Sequence, residues 1–300
     1  MIPQQRRRGP CSMRRRVLPL LERQRRLSAR MRRSIEATAL SPIEHLHSVA
    51  HKNHARLISG NEQRAIYGVR PPNASGAPSS EFILEISREG ETVSVREAEV
   101  TLLPSFCAER HINRGGTFCL YWGEVEPTQI EDQEDAEAWW GKLLTFLLRQ
   151  RSAAVLRRWP GKADARAHGS EAARFQAMAE ENAAALGPKF VALLRDDRLR
   201  LGRGRRRDRI ALLQDGRRVV TVVPTVRRVM ALRQRCKCEH ADVRRLPLAS
   251  CDDHARLLAE LVLNMDRWQK AEADFYTYLR AASQVCCGTM DDCPLARIPG

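Results

Sequence analysis

Residues 106–122 hold the densest set of side chains able to do covalent chemistry: Cys107, Glu109, His111, Asn113 and Cys119, with Gly115-Gly116 between the last two. A glycine pair permits a tight turn, which brings His111 and Asn113 back toward Cys119. Cysteine is a natural acyl carrier, because its thioester is readily attacked by a second nucleophile. A side-chain amide nearby can donate to the oxyanion that develops in such a transfer. Cys119 is therefore the candidate nucleophile. Asn113 is either the oxyanion donor or a turn-forming residue, and His111 either a catalytic companion or the organiser of the loop. Cys107 follows an expected strand and is expected to pack in the core. The acid-rich stretch 124–137 is expected as a mobile flank beside the thiol.

A second concentration of chemistry lies late in the chain. Six of the nine cysteines fall between positions 236 and 293. Cys236 and Cys238 precede His240, Cys251 precedes His254, and Cys286, Cys287 and Cys293 close the set. Thiols and imidazoles in such density are metal-ligand material, most simply for a structural zinc; the competing reading is reduced cysteines that merely pack. A straight helix from Asp252 to Val285 would be about 50 Å long. Cys251 and Cys286 then cannot share an ion: either the helix breaks, near Asn264, or Cys251 belongs with Cys236 and Cys238 only. An odd cysteine count without a secretory leader points to reduced thiols and a cytoplasmic location.

The elements that position these residues read as an α+β chain. Ser41-Pro42-Ile43-Glu44 is a capping-box start with proline at the first helical position. Ile43, Leu46, Ala50, His54 and Leu57 continue it at helical spacing to a stop at Gly60-Asn61. Residues 71–76 read as loop. Strands are expected at 81–87, around Val93 and Val95, and over 100–103. Helices are expected over 136–159, ended by Pro160-Gly161, over 170–186, and over 252–285, the last with a stripe including Leu258, Leu261, Met265, Trp268 and Leu279. Residues 209–214 and 217–223 flank Asp215-Gly216, a hairpin signal.

The 300 residues carry a formal net charge of +15. Twelve arginines against two glutamates in residues 1–40, and eight arginines against three aspartates in residues 195–209, account for all of it. Phosphate backbones attract such surfaces, but lysine supplies only 6 of the 51 basic residues and no recognition motif interleaves the arginines. A basic arm over residues 1–40 is therefore preferred to a specific nucleic-acid site. No apolar run approaches the roughly 18 residues of a membrane-spanning helix.

His111-Ile112-Asn113, a glycine turn, Cys119-Leu120, then Trp139 or Trp140 on a leucine-rich helix, after a helix and strands, resembles the ubiquitin-conjugating enzyme family, and its bacterial branch more closely. Ile112 stands where the family has proline, and the histidine-to-cysteine gap is short; both suit the bacterial members, as do Trp159-Pro160 and His168-Gly169. The tail from Cys286 to Leu295 is similar to cysteine-rich segments that accompany such domains. The resemblance implies an antiparallel sheet flanked by helices over residues 41–169 and a cysteine-rich α/β unit over 170–300. It implies a thioester on Cys119, an activating enzyme, a ubiquitin-like protein and a protein target as partners, no cofactor for the chemistry, and a setting in bacterial operons linked to antiviral defence. Two alternatives stay open: an inactive scaffold of the same fold, and a zinc-containing nucleic-acid-binding module.

Overall fold

The computed structural model describes residues 40–72, 80–124, 126, 128–160, 166–239 and 244–296. The basic arm, His240, Gly161 and most of the loop expected at 71–76 lie outside the described residues. Among the described residues the chain has five α-helices and two antiparallel four-stranded sheets, each in sequential strand order.

Helix α1, Pro42–Val49, starts as its sequence dictates. Ser41 Oγ accepts from the Glu44 N–H at 3.3 Å, and the Glu44 carboxylate accepts from the Ser41 N–H at 2.7 Å. It stops a full two turns before the expected end. A 3₁₀ turn over Ala50–Asn53 leads to His54 in the left-handed region, with φ 57°, and strand β1, Ala55–Gly60, follows. The helical spacing that reached Leu57 was a coincidence of residue types. Pairing with β2, Arg64–Val69, overrides it. The Gly60-Asn61 pair that read as a helix stop is a hairpin connection, in which Asn61 Oδ1 accepts from the N–H groups of Gln63 and Arg64.

Strands β3, Phe82–Glu89, and β4, Thr92–Glu97, complete the first sheet. Residues 100–103, expected as strand, are irregular. The buried Glu97 carboxylate accepts from the Leu102 and Leu103 N–H groups at 3.1 and 2.9 Å, taking the donors a neighbouring strand would have used. Helix α2, Gln133–Leu156, covers the sheet. Three of the acids in the stretch expected as a mobile flank serve its start: Asp132 caps it, accepting from the Asp135 N–H, and Glu134 and Asp135 sit in the first turn, where the helix dipole favours negative charge. Fully buried Trp140 donates to the Leu46 carbonyl at 3.0 Å, joining α2 to α1 over a core of Leu46, Tyr67, Leu84, Ile86, Leu143 and Leu147.

The rest forms a second core. Helix α3, Ser170–Leu186, has the expected ends; α4, Pro188–Arg195, follows directly. Strands β5, Leu199–Arg203, β6, Ile210–Gln214, β7, Arg217–Val223, and the short β8, Arg228–Val229, make the second sheet, with the expected hairpin at Asp215-Gly216. Helix α5, His254–Ala281, runs unbroken for 28 residues, about 42 Å. It packs Leu258, Leu261 and Met265 against Leu186, Phe190, Leu212 and Val222. No helix among the described residues is long and apolar enough to cross a membrane.

Candidate functional site

The Cys119 loop is a small hairpin laid on the edge of the first sheet. Asn113 and Thr117 pair at its tip, Ile112 bridges both Cys107 and Phe118, and the Cys119 N–H donates to the His111 carbonyl at 2.8 Å. Phe118 N–H donates to the Val95 carbonyl at 2.8 Å, which stitches the loop to β4. The turn spans residues 113–116, closed by Gly116 N–H on the Asn113 carbonyl. Gly115 sits at its third position with φ 82°, a conformation open to glycine at little cost. His111 takes a left-handed φ of 53°, so the chain bends at both ends of this motif.

The hairpin register puts His111, Asn113 and Cys119 on one face. Cys119 and His111 open onto a cavity of about 530 Å³ whose far wall is α2. Asn113 stands one pair further out, with its amide on the Thr117 hydroxyl at 3.4 Å; it is exposed and does not line the cavity. His111 is buried against Trp159 and His168, with ring centres 5.1 and 4.7 Å away. Burial, aided by the charges of His168 and Arg149, pushes its imidazole down to about 3. It is therefore a neutral ring at ordinary pH. Three buried hydrogen bonds between Arg110 and Gln150 anchor the loop to α2: Arg110 donates to the Gln150 side chain at 2.7 Å and carbonyl at 3.0 Å, and Gln150 Nε2 donates to the Arg110 carbonyl at 2.6 Å.

Sequence spacing did not reveal the charged lining of the cavity. Glu126 accepts from Lys142 at 2.6 Å and from Arg166 at 3.2 Å, and Arg166 also donates to Glu180 at 2.7 Å. Burial raises the Cys119 thiol above its ordinary value, and the Glu126 carboxylate adds to the rise. The resting sulfur is a protonated thiol next to a carboxylate already engaged by two cations. Trp139 donates to the Tyr121 hydroxyl at 2.9 Å, closing the wall beside the thiol.

The six late cysteines do not form one site. Cys236, Cys238 and Cys251 converge with His254, all four ligand atoms lying within 4.8 Å of one another, a set compatible with a metal site. His254 is the first residue of α5, and the Cys236 N–H is held by the Leu246 carbonyl at 3.0 Å. Cys286, Cys287 and Cys293 lie beyond the other end of α5. They join Cys107 there, with the Cys107 and Cys287 sulfurs 2.9 Å apart. The helix does not break at Asn264, so of the two alternatives left open by the sequence the structure has the second: Cys251 lies with Cys236 and Cys238, apart from Cys286, Cys287 and Cys293. Cys287 is pulled down to about 5, first by its hydrogen bond with Cys107 and then by Thr289 and Arg110, while Cys107 is raised.

The fold and the loop cysteine thus define a two-part α+β chain with a thiol-bearing cavity in the first part and a cysteine-lined second part. Comparison with protein families agrees with both parts. Residues 53–161 match the family model for the prokaryotic E2 domain, and residues 167–295 match that for the cysteine-rich domain C-terminal to the E2 domain. The chain belongs to the bacterial E2-like family with a cysteine-rich tail. No curated protein and no solved structure matches it significantly.

Proposed function

We propose that the chain is a carrier enzyme, with residues 41–169 as the conjugating domain, that accepts a ubiquitin-like protein on Cys119 and passes it to a target amine. The observation that carries this reading is a half-buried cysteine opening onto a cavity on the loop of an E2 domain. The Cys119 thiol gives up its proton and attacks the carbonyl carbon of a thioester presented by an activating enzyme. The tetrahedral oxyanion collapses, the activating enzyme's thiolate leaves, and a new thioester stands on Cys119. A lysine amine of the target then repeats the attack and releases the Cys119 thiolate. Asn113, one hairpin pair away on the same face, would donate its amide to the oxyanion once it leaves Thr117. His111 would position the loop rather than move a proton.

The Cys236, Cys238, Cys251 and His254 set would hold zinc. A tetrahedron with Zn–S near 2.3 Å and Zn–N near 2.0 Å has edges of about 3.5–3.8 Å. Three edges of the set are 3.3, 3.4 and 3.5 Å. With four protein ligands such a site is closed and would only fasten the second sheet to the start of α5. The reduced thiols and the conjugation chemistry suit the cytoplasm, among operon-encoded partners.

Incubating the protein with its cognate activating enzyme, ATP and ubiquitin-like protein should give an adduct cleaved by reductant. Cys119→Ala should abolish it, and Cys107→Ala should not. Charging by Cys119→Ala would refute the assignment. The raised thiol favours one rival, an inactive scaffold of the same fold; failure of the wild-type protein to charge, with Cys119 unreactive to iodoacetamide, would establish it.

A further inference from the structure

The cluster at the far end of α5 has no part in the carrier reaction. Its two closest sulfurs come from positions 180 residues apart, Cys107 from the loop before His111 and Cys287 from the tail. Cys107 is 2% exposed, whereas Cys287 is half-buried and reachable. The Cys287 sulfur also meets the Thr289 hydroxyl at 3.0 Å. That hydroxyl in turn receives Arg110 at 3.4 Å, which brings a buried guanidinium to the sulfur's side. The tail is held through its backbone: the Arg157 guanidinium donates to the Gly288 carbonyl at 3.1 Å, and the Asp291 N–H donates to the Arg157 carbonyl at 2.9 Å. A reachable sulfur beside a cation, backed by a shielded second thiol, is the arrangement of a peroxide-sensitive cysteine and its resolving partner.

We infer that Cys287 and Cys107 form an oxidation site for hydroperoxides that covalently ties the tail to the Cys119 loop. The Cys287 thiolate attacks the outer peroxide oxygen. The O–O bond breaks, the alcohol or water leaves, and the sulfur, two electrons poorer, becomes a sulfenic acid. Cys107 then loses its proton and attacks that sulfur; the S–O bond breaks, and hydroxide leaves with the proton as water. Two thiols and one peroxide thus give one disulfide, water, and the reduced peroxide. Closing 2.9 Å to a bond of about 2.05 Å asks for less than about 1 Å of movement. Glutathione and thioredoxin in a reducing compartment would reverse the bond, as expected of a transient rather than a structural disulfide.

The test uses the full chain. After brief exposure to near-stoichiometric hydrogen peroxide, the protein is denatured in N-ethylmaleimide and digested without reductant. The expected product is a single peptide pair linking Cys107 to Cys287, lost on treatment with reductant. Cys107→Ser should leave a sulfenic acid on Cys287 that dimedone traps, and Cys287→Ser should slow loss of the Cys107 thiol by about tenfold or more. Cys107 recovered fully alkylated after peroxide would overturn the inference. So would a linkage confined to Cys286 and Cys293, or a metal equivalent that Cys107→Ser removes from the purified protein. None of these outcomes depends on whether Cys119 charges.

Discussion

The neutrality of His111 can be tested by pH. Its imidazole is pushed down to about 3, chiefly by burial, so the folded chain leaves it unprotonated where the unfolded chain protonates it. An unfolded histidine takes its proton near pH 6.5. The unfolded state therefore binds more protons between about pH 3 and 6.5, and stability is full above that window and lost as pH falls through it. A full proton of difference corresponds to a slope of about 1.4 kcal/mol per pH unit. Between about pH 7 and 5.5 the loss from this one group integrates to about 1 kcal/mol. Replacing the ring by His111→Gln removes the titration but keeps a polar side chain of similar reach. Denaturant unfolding of both proteins at the two pH values isolates the contribution of the ring together with its coupling to His168, because groups remote from it cancel in the double difference. The wild-type chain should lose about 1 kcal/mol more than the variant. Parallel losses would mean that the imidazole takes up its proton in the folded state, and the positioning role assigned to it would fail.

Three further outcomes follow from the same geometry. Glu126→Gln removes the carboxylate that helps raise the Cys119 thiol and leaves Lys142 and Arg166 beside it; iodoacetamide labelling of Cys119 near pH 7.5 should quicken by about threefold to tenfold, and a slower rate would contradict the attribution. Gln150→Leu strips the buried Arg110 of its side-chain acceptor and the Arg110 carbonyl of its donor; the midpoint of unfolding should fall by the equivalent of about 3–5 kcal/mol, whereas a loss under about 1 kcal/mol would show the guanidinium to be hydrated. Cys251→Ser should cost the protein one bound zinc by metal analysis and about 3 kcal/mol or more of stability, and an unchanged zinc content would remove the ion from this set.

How far the sequence could be read depended on whether the deciding interaction was local. Ser41 and Glu44 satisfy each other's backbone within one turn, and Asp215-Gly216 turns the chain within two residues, so both were visible. Strand β1 was not. Only Ala55 of its six residues is buried, so it has no alternation to display, and its existence rests on pairing with β2. Strand β5 was hidden among the arginines for a similar reason: Leu199 is its one buried position. The stretch 100–103 has the residue types of a strand, and only the distant carboxylate of Glu97 diverts its amides.

The same division separates the two sites. Cys119 could be picked out because a glycine turn and its flanking residues fit within one short hairpin. The charges that line its cavity come from Glu126, Lys142 and Arg166, which no periodicity connects. For the late cysteines, the deciding quantity was the length of a helix. An unbroken α5 acts as a spacer of about 42 Å, so thiols that crowd together in sequence must separate in space. Those before it meet an imidazole at its first residue and suit a closed metal site. Those after it meet Cys107 of the first domain, a partner that only the tertiary fold supplies. The same residue type thereby stands in two settings: among four converging donors before the helix, and as a reachable sulfur touching a shielded one after it.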